Sequence, residues 1–234
     1  MTGQVSQATS VVIYLHGFGC IEPLECPVAV LLSRILSKQE HHRTTTSTFL
    51  YVPCYHPQGD ISQTNFFTTL ASLRDWITNN VVAPTNKRRK LVLVGYSVGG
   101  YLAALLAEQH PEIVLSGLIL LAPAIDNYQR NFEKKTTWYM PATYVLALRD
   151  EFPSRPQVNA AAIRTVIVHG LRDTDHGGSA PWRIREYAKA LGKCVTLYEP
   201  DMDHSLEPWL SRDEPSADGT APSLETLVLS MLIN

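Results

Sequence analysis

The sequence is poor in several features that define whole classes of protein. Only 4 cysteines occur in 234 residues, Cys20, Cys26, Cys54 and Cys194, and none forms a CxxC pair. A disulfide framework is therefore not expected, and reduced thiols are. There is no HExxH and no dense Cys/His cluster, so no metal site is expected. The N-terminal Met1–Ser10 is polar, without the apolar core of a signal peptide, and no later apolar run has the length of a bilayer span. A cytoplasmic location is the expectation. An excess of charge of either sign is also missing. The formal net charge is -2, which supplies no field to draw the chain onto nucleic acid or an anionic membrane. Lys87-Arg88-Arg89-Lys90 is the one basic run, and it reads as a solvated turn before a strand. Internal repeats are absent.

What is present is a normal globular balance, 45% hydrophobic and 18% charged. A chain of this length suits a single domain over residues 1–234 with a sizeable core. Short apolar, β-branched runs at Val11–Leu15, Thr48–Val52, Leu91–Val94, Gly117–Leu121, Thr165–Val168 and Val195–Tyr198 read as strands. Between them, Pro27–Ser37, Phe66–Ile77, Val98–Gln109, Pro181–Leu191 and Leu224–Leu232 carry apolar residues at helical spacing. Strands that are apolar throughout, alternating with helices, imply an α/β fold with a mostly parallel central sheet covered by helices on both faces. Residues 126–162 interrupt the alternation and carry Trp138, Tyr139, Met140 and Tyr144, so they read as a short lid. Ser211–Pro222, rich in Ser, Asp, Pro and Gly, reads as a loop.

The chemistry-bearing residues fall where strands end, the place where ligands sit in such sheets. Gly95-Tyr96-Ser97-Val98-Gly99 follows the most strand-like run and precedes an Ala-rich helix. A sharp strand-to-helix turn there lifts the Ser97 hydroxyl above the sheet, and the helix N-terminus offers N–H groups to an anion. Acyl transfer needs donors for a negative oxygen. The backbone N–H groups of Val98 and of Phe18, in His16-Gly17-Phe18-Gly19, are the candidates. His16 is expected to fix that loop through its ring nitrogens. A nucleophilic serine needs a base, and the base an orienting carboxylate. After the strand Thr165–Val168 comes His169-Gly170-Leu171-Arg172-Asp173-Thr174-Asp175. Asp173 is the first choice for the acid and Asp175 its competitor. His204, in Asp201-Met202-Asp203-His204, stands where the base belongs. Trp138, Tyr139 and Trp182, with Phe18, are candidates to line an apolar substrate pocket.

With these residues in place, the chain resembles the α/β-hydrolase superfamily over nearly its whole length, most of all its small serine esterases and thioesterases with a short lid. Ser97–Tyr101 and the strand end Leu121-Ala122-Pro123-Ala124 carry the finer likeness. The resemblance implies an α/β-hydrolase fold and a Ser97–His204–Asp173 triad that cleaves a small-molecule carboxylic ester or thioester through an acyl-enzyme, with no cofactor. A thioesterase, an acyltransferase, a lyase on the same triad and a non-catalytic ligand-binding protein are the alternatives. The sequence departs from the family pattern in three places. The acid loop lacks the usual Val-Pro, Asp203 precedes the base where a glycine is usual, and Val11 begins what corresponds to the third strand of larger members. Oligomeric state is not readable from the sequence.

Overall fold

The structure is a computed structural model that describes residues 8–17, 20, 22–42, 47–54, 66–82, 89–125, 155–159, 161–173, 179–211 and 221–233. Its strands are β1 (Ser10–Leu15), β2 (Thr48–Tyr51), β3 (Lys90–Tyr96), β4 (Gly117–Leu121), β5 (Thr165–Val168) and β6 (Val195–Tyr198). They form one six-stranded sheet in the order β2-β1-β3-β4-β5-β6. Every pairing is parallel, with Ile13 opposite Leu93 in the β1–β3 ladder and Val94 opposite Ile119 in the next. The helices are α1 (Pro27–His42), α2 (Phe66–Ile77), α3 (Val98–Gln109), α4 (Pro181–Leu191), α5 (Glu207–Leu210) and α6 (Leu224–Ile233).

Successive strand residues point to opposite faces, and both faces are buried. Val11, Ile13, Leu15, Leu93 and Leu120 pack with α2, α3 and α4 in one core layer. Val12, Tyr14, Val94 and Ile119 pack with α1, α5 and α6 in the other. This explains why the strands read as continuous apolar runs instead of alternating ones. Each Leu or Ile buried in this way contributes about 1.5–3 kcal/mol of transfer free energy. Helix α3 is buried from Val98 to Ala107. It has no polar face, as expected of a helix sunk beneath its neighbours.

The elements occur where the periodicity places them, and the ends differ for local reasons. Helix α1 continues to His42, five residues past Ser37, because Lys38-Gln39-Glu40 are good helix formers. A turn of 3-10 helix (Pro23–Glu25), a π turn (Thr78–Val82) and the four-residue α5 carry no periodic signal, being far shorter than the window of about 11 residues over which a period is read.

Two expectations are corrected here. The structure joins Cys20 and Cys26 in a disulfide, with Cα atoms 6.4 Å apart, inside the span that such a bond needs. The 3-10 turn Pro23–Glu25 folds the chain back between them, a contact that their six-residue spacing does not announce. Cys54 and Cys194 are free and exposed. The basic run is not wholly a solvated turn either. The Arg89 guanidinium is buried and donates to the Asn80 carbonyl at 2.7 Å, and the Lys90 ammonium donates to the Leu232 carbonyl at 2.9 Å. Both cations satisfy carbonyls at helix C-termini, where positive charge is favoured. Lys87 and Arg88 lie outside the described residues, as do 126–154 and 160 of the expected lid and 212–220 of the expected loop.

Candidate active site

The sheet order changes direction between β1 and β3, since β2 lies beyond β1 while β4–β6 lie beyond β3. A crevice opens at such a point above the carboxyl ends of the strands. Ser97 stands there, between β3 and α3. Its φ is 55° and its ψ -119°, a conformation that costs a non-glycine residue on the order of 1–3 kcal/mol. Hydrogen bonds on both sides hold it. The Ser97 N–H donates to the Leu121 carbonyl at 2.9 Å, and the Ser97 carbonyl accepts from Ala124 N–H at 3.1 Å and Gly100 N–H at 3.0 Å. The β4 end Leu121–Ala124, with Ala122 at φ 41°, thus braces the turn.

The motif glycines are required by close approach. A methyl group on Gly99 would overlap the Leu15 carbonyl oxygen, and one on Gly95 would overlap the Gly99 carbonyl oxygen. The loop after β1 reaches the same turn. A methyl on Gly17 would sit 3.2 Å from the Ser97 Cβ. His16 is buried, and its Nδ1–H donates to the carbonyl of the adjacent Gly17 at 2.8 Å, a local bond at the start of that loop. Burial holds the His16 imidazole below its ordinary pKa, which keeps it neutral.

His204 and Asp173 arrive from the far side of the sheet. The Asp173 carboxylate, 2% exposed, accepts from His204 Nδ1 at 2.8 Å. That fixes the tautomer, because a carboxylate only accepts. The other ring nitrogen, Nε2, then presents its lone pair to the Ser97 Oγ–H at 3.0 Å. The loops that carry acid and base are stitched to each other. Leu171 N–H donates to the Pro200 carbonyl and Arg172 N–H to the Met202 carbonyl, both at 2.9 Å. A side chain on Gly170 would run into the Met202 carbonyl oxygen, so the two loops approach as closely as backbones allow.

Asp203, in the position where a glycine is usual, makes a local turn. Its carboxylate accepts from the Ser205 N–H at 3.0 Å and the Ser205 hydroxyl at 2.6 Å. Those two bonds hold it below its ordinary pKa.

In the sequence His169 only opens the run that leads to Asp173, with no role assigned to it. It is fully buried, and its Nε2 lies 3.6 Å from the Asp173 carboxylate. Burial, partly opposed by the charge of Asp173, lowers its pKa from 6.5 to about 4. Tyr96, the unspecified residue of the serine motif, donates its hydroxyl to the His204 backbone carbonyl at 3.0 Å. Neither residue has a sequence signal of its own, since both acquire their partners only through folding.

Of the remaining site candidates, Val98 opens α3, where the first N–H groups have no partner within the helix. Trp182 is 48% exposed near the start of α4, with the Arg183 guanidinium 4.9 Å from its ring centroid. Phe18, Trp138, Tyr139 and Asp175 lie outside the described residues. Among the described residues no group of three or more His, Cys, Asp and Glu is placed to hold a metal, and no helix is long and apolar enough to cross a membrane.

Comparison with known proteins bears on the family and the fold. Residues 60–190, more than half of the chain, match the family described as serine aminopeptidase, S33. The chain belongs to that hydrolase family. Its structure is similar to Est1E from Butyrivibrio proteoclasticus with ferulic acid bound, at 16% identity over 97% of this chain and 91% of that one, TM-score 0.67. It is also similar to an acetyl ester-xyloside bifunctional hydrolase from Caldicellulosiruptor lactoaceticus, at 17% identity over 98% and 86%, TM-score 0.62. A hyperthermophilic esterase from the archaeon Pyrobaculum calidifontis aligns at 15% identity over 97% and 77%, TM-score 0.55. Likeness at these identities establishes the α/β-hydrolase fold. No curated protein matches the chain.

Proposed function

We propose that this member of the S33 family is a serine carboxylesterase that works through an acyl-enzyme on Ser97. The observation that carries the reading is the continuous hydrogen-bonded line from Asp173 through His204 to the Ser97 hydroxyl, at 2.8 and 3.0 Å. His204 Nε2 takes the Ser97 proton as Oγ attacks the ester carbonyl. Asp173 stabilises the imidazolium that forms. Backbone N–H groups of Val98 and Phe18 hold the oxyanion, each worth on the order of 10²–10³ in rate. The imidazolium then returns the proton to the departing alcohol. A water molecule, deprotonated by the same imidazole, cleaves the acyl-enzyme to acid and free serine. No cofactor enters these steps. Residues 126–162 form the lid in this reading, with Trp138 and Tyr139 from it and Trp182 from α4 lining the acyl pocket. The esterase names among the fold neighbours favour an ester, whereas the family description names an aminopeptidase. The competing substrate is therefore an aminoacyl amide.

The test is covalent labelling by a fluorophosphonate, read by intact mass, beside turnover of matched ester, thioester and aminoacyl anilide substrates. One adduct is expected on the parent, none on Ser97→Ala, and a greatly slowed one on Asp173→Asn, while Asp175→Asn labels as the parent does. A folded parent that takes no adduct would overturn the proposal. Loss with Asp175→Asn alone would move the acid to Asp175.

A further inference from the structure

Tyr96 connects three parts of the site that the mechanism treats separately. It is the last residue of β3, paired in register with Leu121 of β4 and covalently adjacent to Ser97. Its ring packs against the core layer beneath α1, α5 and α6. It also faces the loop after β1, where a methyl on Gly17 would lie 3.0 Å from its Cδ1. Its hydroxyl donates to the His204 carbonyl at 3.0 Å, across 108 residues of sequence. The Tyr96 and His204 rings are tilted by 38° with centroids 5.5 Å apart.

His204 needs such support, since it lies in neither strand nor helix. Its neighbours are held by a local turn made by the Asp203 carboxylate and by Leu206 in the left-handed conformation at φ 52°. The Arg172 N–H bond to the Met202 carbonyl and the Nδ1 bond to Asp173 tie this loop to the acid loop, and neither joins its backbone to the Ser97 turn. The bond from Tyr96 runs from the base's own backbone to the residue beside the nucleophile.

Resting on the esterase reading above, we propose that Tyr96 is a positioning residue for catalysis: its hydroxyl fixes the His204 backbone, and through it the separation between Nε2 and the Ser97 Oγ. Burial, followed by the charges of Asp173 and Asp203, pushes the phenol up to about 12, so it stays a donor throughout the working pH range. Because it bonds the backbone carbonyl and not the imidazole, its loss changes where the base stands and leaves the proton affinity of the ring nearly untouched. Misplacement of a reacting group by about 1 Å costs on the order of 10²-fold in rate.

The experiment compares parent, Tyr96→Phe and Ser97→Ala for ester turnover normalised to active sites counted by fluorophosphonate titration, with labelling rates, pH profiles and melting curves. Tyr96→Phe keeps the buried ring and is expected to melt close to the parent. Its kcat per titrated site should fall roughly 10- to 100-fold, with the labelling rate falling in step, KM unchanged and the pH midpoint of kcat/KM unmoved. A merely structural role would lower the number of titratable sites and leave kcat per site alone, which would overturn the proposal. Turnover and labelling of Tyr96→Phe equal to those of an active parent would also overturn it, while leaving the esterase reading intact. A parent that neither labels nor turns over ester would remove both.

Discussion

His169 is a buried imidazole with a calculable effect on stability. Its pKa is 6.5 in the ordinary state and about 4 in the fold, with burial as the leading cause. Between those values the unfolded chain binds a proton that the native chain refuses. Stability therefore rises with pH across this window and is lost as pH falls through it. Relative to neutral pH, the linkage integral gives a loss of about 2 kcal/mol at about pH 5, growing to about 3 kcal/mol below pH 4. His169→Gln supplies the control, being neutral at every pH. Urea denaturation of both proteins from about pH 5 to 7.5 separates this effect from carboxylates common to the two. The parent should lose about 2 kcal/mol more than the variant over that range. Parallel pH profiles for parent and variant would refute the reasoning, because they would mean that His169 titrates alike in both states.

Other outcomes follow from close packing and from the cross-link. Gly99→Ala places a methyl on the Leu15 carbonyl. It should destabilise by about 1–3 kcal/mol and abolish most fluorophosphonate labelling, read by thermal melting and intact mass. Gly170→Ala, which pushes on the backbone of Met202 and Asp203, should lower kcat by disturbing the base loop while α3 and its turn stay intact; circular dichroism beside ester kinetics checks this. Replacing Cys20 and Cys26 by Ser should lower stability by ~2 kcal/mol in the chain-entropy account, or roughly 4–8 °C in Tm for a domain of this size. The parent's intact mass should rise on reduction by the hydrogens taken up.

Much of the architecture was legible in the sequence because strands buried on both faces must be apolar at every position. Val11–Leu15 and Gly117–Leu121 therefore announced themselves, and the all-apolar Val98–Ala107 marked the central helix. The order Ser97, Asp173, His204 was legible for a related reason, since each follows a recognisable strand and such sheets gather strand ends on one side. Helix α5, the 3-10 turn and the Cys20–Cys26 bond were not legible, because each depends on a turn too short to leave a period.

Local sequence thus determined which segments become strands and helices and that a serine would stand at a strained turn, because backbone propensity, burial pattern and glycine spacing act within a few residues. Tertiary structure decided the rest. Only packing could bring His204 across 107 residues to the Ser97 hydroxyl, bury His169 beside Asp173, and give the Tyr96 hydroxyl the His204 carbonyl as its partner. These are contacts between loops whose separation in sequence carries no information, and whose distance in space is set by the parallel sheet that all of them cap.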